Sequence, residues 1–585
     1  MSRFDILIKN GTVVDGTRLP KFKADVAIKD GRIAQIGGRL LEADAERVLD
    51  ASGMIVAPGF VDLHTHYDAQ IQWDPYCTIS GWHGVTSVVL GNCGFGFAPV
   101  RPEERDRAML TMSRTEAIPF DSMKAGMLWD WVTFPEWMDT LDRIPKGVNC
   151  LSYVPVSPLM IWAMGLEAAK NRPATEAEKK EMKRLLNEAM EAGACGFSLQ
   201  RLGPNSAQAD YDGTPMVTDM MAEDDIYALA EVLRDRDEGF VQINNSFSGN
   251  IKMDLEVQER IAEISGRPIL HNLVGINNDN PRFHQRRLQW LQECNDRGLK
   301  MFGQAVTLRP GFAFTMEHWN LYDSSPAWNE ATVGTYEEKM HKLADPGRRA
   351  AIRAETDAAI AEARRVNNVG GPIEDLVIQS VDQCANKDEL EHYVGLSVKD
   401  LAAREGKDAL DAMLDLSVRG GLRVEFVGQN PGYNAQYMAE MITSPFCVPG
   451  VSDGGAHTKF FTGGSYTTDF LAWLVRDEKV LSLEEAHYRL SYLPAHAAGF
   501  KDRGFLREGA PADIVVYNLD ELKILPEDVE VGAVAYDFPA GEWRRIQTAE
   551  GYHWTIVNGE VTFENGNCTG ATPGKLLRHG VATPG

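Results

Sequence analysis

Residues 56–70, VAPGFVDLHTHYDAQ, carry the reading that decides the fold. An apolar run leads into His64-Thr65-His66, and short apolar runs of β-forming residues read as buried strands. Alternate residues of a strand share a side. Both imidazoles can therefore face one point from one rigid element. Seven similar runs follow VDLHTH (61–66). They are TSVVLGNC (86–93), VNCLSYVP (148–155), ACGFSLQ (194–200), GFVQINN (239–245), RPILHNL (267–273), KMFGQAV (300–306) and VPGVSDGG (448–455). Helical stretches separate them. In the clearest, 174–193, Met182, Leu185, Leu186 and Met190 recur at helical spacing. Eight strands alternating with helices predict an α/β fold built on a TIM (β/α)8 barrel, here at 59–307 and 446–499.

The two ends read differently. Residues 4–50 are strand-rich, with β runs broken at Asn10-Gly11 and Asp15-Gly16 and a hairpin signal at Asp30-Gly31. The pattern returns in the strand 512–517 and in a hairpin on Asn558-Gly559. These segments predict one small β-sandwich-like domain made from 1–58 and 500–585. Residues 308–445 are too long for a plain loop. They are expected to form an insertion, or lid, near the barrel mouth.

The chain has 585 residues, enough for a large central domain and smaller ones. Its formal net charge is -25, from 59 Lys+Arg against 84 Asp+Glu. Such a surface repels nucleic acid and anionic membranes unless a basic patch overrides it, and no run of Lys or Arg does. The eight cysteines are dispersed, with no CxxC pair, which suits reduced thiols in a cytoplasmic protein. The opening MSRFDILIKNGTVVDG reads directly as strand and turn, not as a signal peptide. The partner expected is a small molecule in solution. A homo-oligomer stays open.

Chemistry gathers at the strand ends. Cys93 closes the second strand in GNCGFG, where Gly91, Gly94 and Gly96 allow a tight bend. A thiolate ligates zinc well, though most free cysteines are simply buried. His271 ends the sixth strand and Asp453 the eighth. Strand C-termini form the working face of a TIM barrel. Four strands thus send His64, His66, Cys93, His271 and Asp453 to one rim, and a divalent metal site is the simplest explanation. His457, four residues past Asp453, is a candidate substrate contact or a plain loop histidine.

The run 56–70 resembles the metal-binding opening of the amidohydrolase superfamily. GVTSVVLGNCGFGFAPVRP (84–102) is similar to its N-acyl-D-amino-acid deacylase (D-aminoacylase) branch, where a cysteine replaces a carboxylated lysine. Residues 482–518 are similar to the family's closing segment. The resemblance implies one or two zinc ions. His64 and His66 would bind one, Cys93 would bind or bridge, His271 would support a second, and Asp453 would be ligand and proton carrier. It also marks departures. Gln242 stands where the family has a metal-binding histidine, and Leu273 where it has a carboxylate-binding lysine. An arginine expected after Asp453 has no match, although Lys459 is near.

The expected activity is metal-assisted hydrolysis of a C–N (amide) bond, with Asp453 shuttling the proton. Gln242 is a possible extra metal ligand. The rival readings are a hydrolase of cyclic or uncharged amides on the same site, and an inactive binding protein on a hydrolase fold.

Overall fold

The computed structural model describes residues 2–204, 206, 208–245, 251–309, 311–318, 325–361, 372–428, 432–526 and 531–579. The architecture is mixed α/β. Eight consecutive strand positions are β1 (Phe60–Asp62), β2 (Val85–Leu90), β3 (Asn149–Ser152, resuming at Val154–Pro155), β4 (Gly196–Arg201), β5 (Phe240–Asn245), β6 (Ile269–Val274), β7 (Met301–Ala305) and β8 (Cys447–Pro449). Each pairs in parallel with the next. The loop after β8 returns to the segment after β1. His66 N donates to Gly454 O at 2.7 Å, and Asp453 N donates to His64 O at 3.1 Å.

Every run expected to be a strand holds one, but the ends differ from expectation. β1 stops at Asp62 and β8 at Pro449, so the HxH pair and Asp453 lie on the segments just beyond. Only an isolated bridge, Thr65 to Gly454, continues the pairing there. Asp453 has φ of 48°, a left-handed bend that turns the chain out of the strand.

Parallel strands need crossovers, and helices supply them. Those used below are α1 (Arg105–Thr115), α2 (Glu176–Glu191), α3 (Ile251–Ser265) and α4 (Arg282–Asp296). α2 starts with a capping box. Glu178 N donates to Thr175 Oγ1 at 3.3 Å, and Thr175 N donates to Glu178 Oε2 at 2.7 Å. Such a cap contributes about 1 kcal/mol. Met182, Leu186, Ala189 and Met190 form the buried stripe of α2, with Leu185 at its margin.

The faces of the eight strands are distinct. Val61, Leu63, Val89, Leu151, Phe240, Leu270 and Val448 pack together in one apolar cluster drawn from the strands and their immediate ends. Register then fixes the side taken by polar residues. Gln242 lies opposite Leu270 and Asn244 opposite Asn272, so all four share the face turned away from the helices. Ile269 and His271 take the other face, toward the helices.

Both ends of the chain enter a nine-stranded sheet. Ile55–Pro58 pairs antiparallel with Ile514–Tyr517, which pairs in turn with Tyr552–Val557. The two expected hairpin tips have positive φ at both central residues: Asp30 (50°) with Gly31 (76°), and Asn558 (45°) with Gly559 (87°). Asn10-Gly11 is different. It lies inside the strand Phe4–Val13 as a bulge, where a Cβ on Gly11 would meet Val56 Cγ2 at 2.4 Å.

Within 308–445, Phe312–Phe314, Val377–Ser380 and Glu425–Gly428 form an antiparallel sheet. Helices such as Tyr336–Ala344, Val398–Glu405 and Ala409–Arg419 accompany it. A separate apolar cluster, including Phe314, Trp328, Leu376, Leu414 and Phe426, holds this region together. Ala117 and Phe460 join that cluster, which ties it to the loops beside Asp453.

Candidate metal centre

His64, His66 and Cys93 are buried, and their candidate donor atoms all lie within 4.8 Å of one another. His64 Nε2 is 3.3 Å and His66 Nε2 3.8 Å from Cys93 Sγ. Asp453 Oδ1 approaches the same two nitrogens at 3.1 and 3.7 Å. Elements distant in sequence thus bring two imidazoles, a thiol and a carboxylate to one point.

The surroundings orient these groups. Gln304 Oε1 lies 3.2 Å from His64 Nδ1. A carboxamide oxygen only accepts, so Nδ1 carries the proton and Nε2 is left to face the cluster. Cys93 has φ of 59° between Gly91 (75°) and Gly94 (78°), which turns its side chain inward. A Cβ on Gly94 would meet Leu199 Cα at 2.9 Å, so the approach of this turn to β4 requires glycine.

Burial sets the charge states. It lowers His66 to about 3, so that imidazole is neutral and keeps a lone pair. Burial also acts to lower His64, but Cys93 and Asp453 overturn it and hold His64 well above its usual value. Burial pushes the Cys93 thiol up, against the pull of His64. For Asp453, burial is outweighed by His64, His457 and His66, and its carboxyl stays well below the usual range.

Two expected ligands need correction. His271 does not reach the cluster. It faces the helices, where Nδ1 contacts Gln258 of α3 at 2.9 Å and the ring meets Trp290 of α4 edge-on at 5.0 Å. The period-2 alternation of β6 is the cause, since it puts Asn272 on the face turned away from the helices instead. Gln242 is on that face, but its oxygen is engaged: Oε1 accepts from Cys93 N at 2.7 Å. It shapes the cysteine turn. Gln242 Nε2 donates to Asn244 Oδ1 at 2.7 Å, and Asn272 Nδ2 donates to the same oxygen at 2.8 Å. Asn244 Nδ2 in turn lies 3.1 Å from Cys93 Sγ.

His457 is beside the centre, its Nε2 3.9 Å from Asp453 Oδ2, with its ring against Phe461. Lys459 is paired with Glu542 at 3.1 Å and covers the Trp543 ring. Sequence reading missed Asn244, Asn272, Gln304 and Glu116. Polar residues at alternate positions of GFVQINN were an available signal for Asn244. Glu116, just past α1, belongs to no motif. It is 1% exposed, and its Oε2 lies 3.3 Å from His457 Nε2.

A family model described as "Amidohydrolase family" matches residues 47–563. The chain belongs to this family. As an amidohydrolase it is a hydrolase of C–N bonds, as the opening motif implied, and its similarity falls in the expected branch. It is 26% identical to the D-aminoacylase of Alcaligenes xylosoxydans xylosoxydans over 99% of this chain and 98% of that protein. It is 25% identical to the N-acyl-D-aspartate deacylase of the same organism, over 99% and 96%. Among solved structures it resembles N-acyl-D-glutamate deacylase from Bordetella bronchiseptica, complexed with zinc and a phosphonate inhibitor. There the TM-score is 0.66 at 23% identity, covering 99% of this chain and 100% of that one. That likeness is one of fold. No helix among the described residues of the amidohydrolase is long and apolar enough to cross a membrane.

Proposed function

We propose that this amidohydrolase cleaves an amide C–N bond at a single zinc ion held by His64, His66, Cys93 and Asp453. The observation that carries the reading is the donor spacing. Zinc bonds of about 2.0–2.3 Å in a tetrahedron imply donor separations of roughly 3.3–3.8 Å. Four of the six donor pairs lie at 3.1, 3.3, 3.7 and 3.8 Å. Charge fits as well: zinc would displace the protons that His64 and the Cys93 thiol hold without it, and a thiolate and a carboxylate beside two neutral imidazoles then balance a dication. One ion fits better than two. Asn244 Nδ2 lies 3.1 Å from Cys93 Sγ, and Asn244 Oδ1 is taken up by Gln242 Nε2 and Asn272 Nδ2.

The proposed architecture is a closed (β/α)8 barrel at 59–307 and 446–499, with the β domain at 1–58 and 500–585 and a lid at 308–445. The β1–β8 pairings, the return bonds at Gly454 and Asp453, and the separate apolar cluster of 308–445 support it. A cytoplasmic site of action suits the cysteines, which are all free.

Bound zinc would acidify a water and polarise the scissile carbonyl. Asp453 then serves as general base and acid. Its Oδ1 faces the two histidines while Oδ2 faces His457, so one carboxylate can hold its place and still carry a proton. Gln304 fixes the His64 tautomer, and Gln242 fixes the Cys93 turn. By analogy with the deacylases, the substrate is an N-acyl compound. The test is a panel of N-acyl amino-acid derivatives assayed on metal-free and zinc-reloaded protein. Cleavage restored by zinc and absent without it is expected. Equal cleavage by the metal-free protein would overturn the reading.

A further inference from the structure

Glu116 is a buried acid without a matching partner. Neither carboxyl oxygen has a hydrogen-bond partner, and the His457 contact is an ion-pair distance only. His457 links it to Asp453 Oδ2 at 3.9 Å, which places the carboxyl beside the reacting centre. Buried polar groups in native proteins are generally satisfied, so such an orphan is what a ligand would complete.

We propose that Glu116 is a specificity-determining residue that pairs with an uncharged carboxamide of the substrate. The inference rests on the hydrolase reading above. Burial, with Asp453 adding to it, pushes the Glu116 carboxyl well above the usual range. Its two buried oxygens without a partner accept from a substrate N–H in either protonation state, and a protonated carboxyl also donates. A carboxamide presents the complementary pair, a C=O and an N–H. A substrate carboxylate offers only acceptors, and brings negative charge toward Asp453.

The strand ends beside the cluster carry neutral amides. Gln200 lies opposite Asn244 and Asn244 opposite Asn272, and Asn272 Oδ1 and Gln200 Oε1 are buried acceptors without a donor. Two cations that follow β7 and β8 are matched by acids. Arg309 Nε binds Asp469 Oδ1 at 2.9 Å, and Lys459 binds Glu542.

The test uses N-acetylmethioninamide and N-acetylmethionine, each racemic so that no handedness is assumed. Calorimetric titration of the zinc-loaded protein reads binding, and product analysis of the same samples reads cleavage. The amide should bind at least about 10-fold more tightly, equivalent to about 1.4 kcal/mol. Glu116→Ala should bring that ratio toward one. Glu116→Gln, which keeps a donor beside an acceptor, should retain it. Zinc content should be equal in all three proteins. Equal or tighter binding of the carboxylate, or an unchanged ratio in Glu116→Ala, would overturn the proposal. Preferential amide binding without any cleavage would support the role of Glu116 while contradicting the hydrolase reading.

Discussion

Asp453→Asn should lower kcat by about 1000-fold while the protein stays folded, since a positioned general acid or base is worth about 100- to 10,000-fold. The substitution is nearly isosteric, and the backbone bonds Asp453 N to His64 O and Ala456 N to Asp453 O remain. An asparagine oxygen can still sit near His64 and His66. It cannot take a proton from water at neutral pH. Its zinc affinity should fall less than its turnover, because His64, His66 and Cys93 are untouched. Steady-state kinetics on zinc-loaded protein, with zinc measured on the same sample, separates the two effects. Full turnover in Asp453→Asn would remove the residue from the reaction.

Cys93→Ala should abolish stable zinc binding and turnover together. The thiol is the donor nearest His64 Nε2 after Asp453. Removing a residue that only hydrogen-bonds a metal ligand already costs about 10- to 100-fold in metal affinity, so a lost direct ligand should cost more. Alanine also leaves Asn244 Nδ2 without its acceptor. The fold should survive, because Gln242 Oε1 holds the backbone N–H of residue 93 rather than its side chain. Elemental analysis after dialysis checks this, and zinc retained at the wild-type level would exclude Cys93 as a ligand.

Much of the architecture was legible because period and punctuation are local. Apolar runs marked all eight strand positions, and Asp-Gly and Asn-Gly marked the two hairpins. The sequence could not show that β1 and β8 end early. What converges there depends on bends at Asp453 and Cys93, which positive φ and long-range contact decide. His271 shows the limit most clearly. A histidine at a strand end faces in or out according to register, and one residue of shift decides between His271 and Asn272. Gln242 was legible as a departure, but its work on the Cys93 amide could be seen only in three dimensions. Glu116 was invisible because nothing local marks a carboxyl as buried beside a distant loop.

The most direct test of the central claim is zinc content per chain, measured by elemental analysis on protein purified without added metal and again after reconstitution and dialysis. One ion per chain is predicted, and Gln242→His should not be needed to hold it. No retained metal after reconstitution would contradict the assembled donor set. Two tightly held ions would contradict the role given to Asn244 on Cys93.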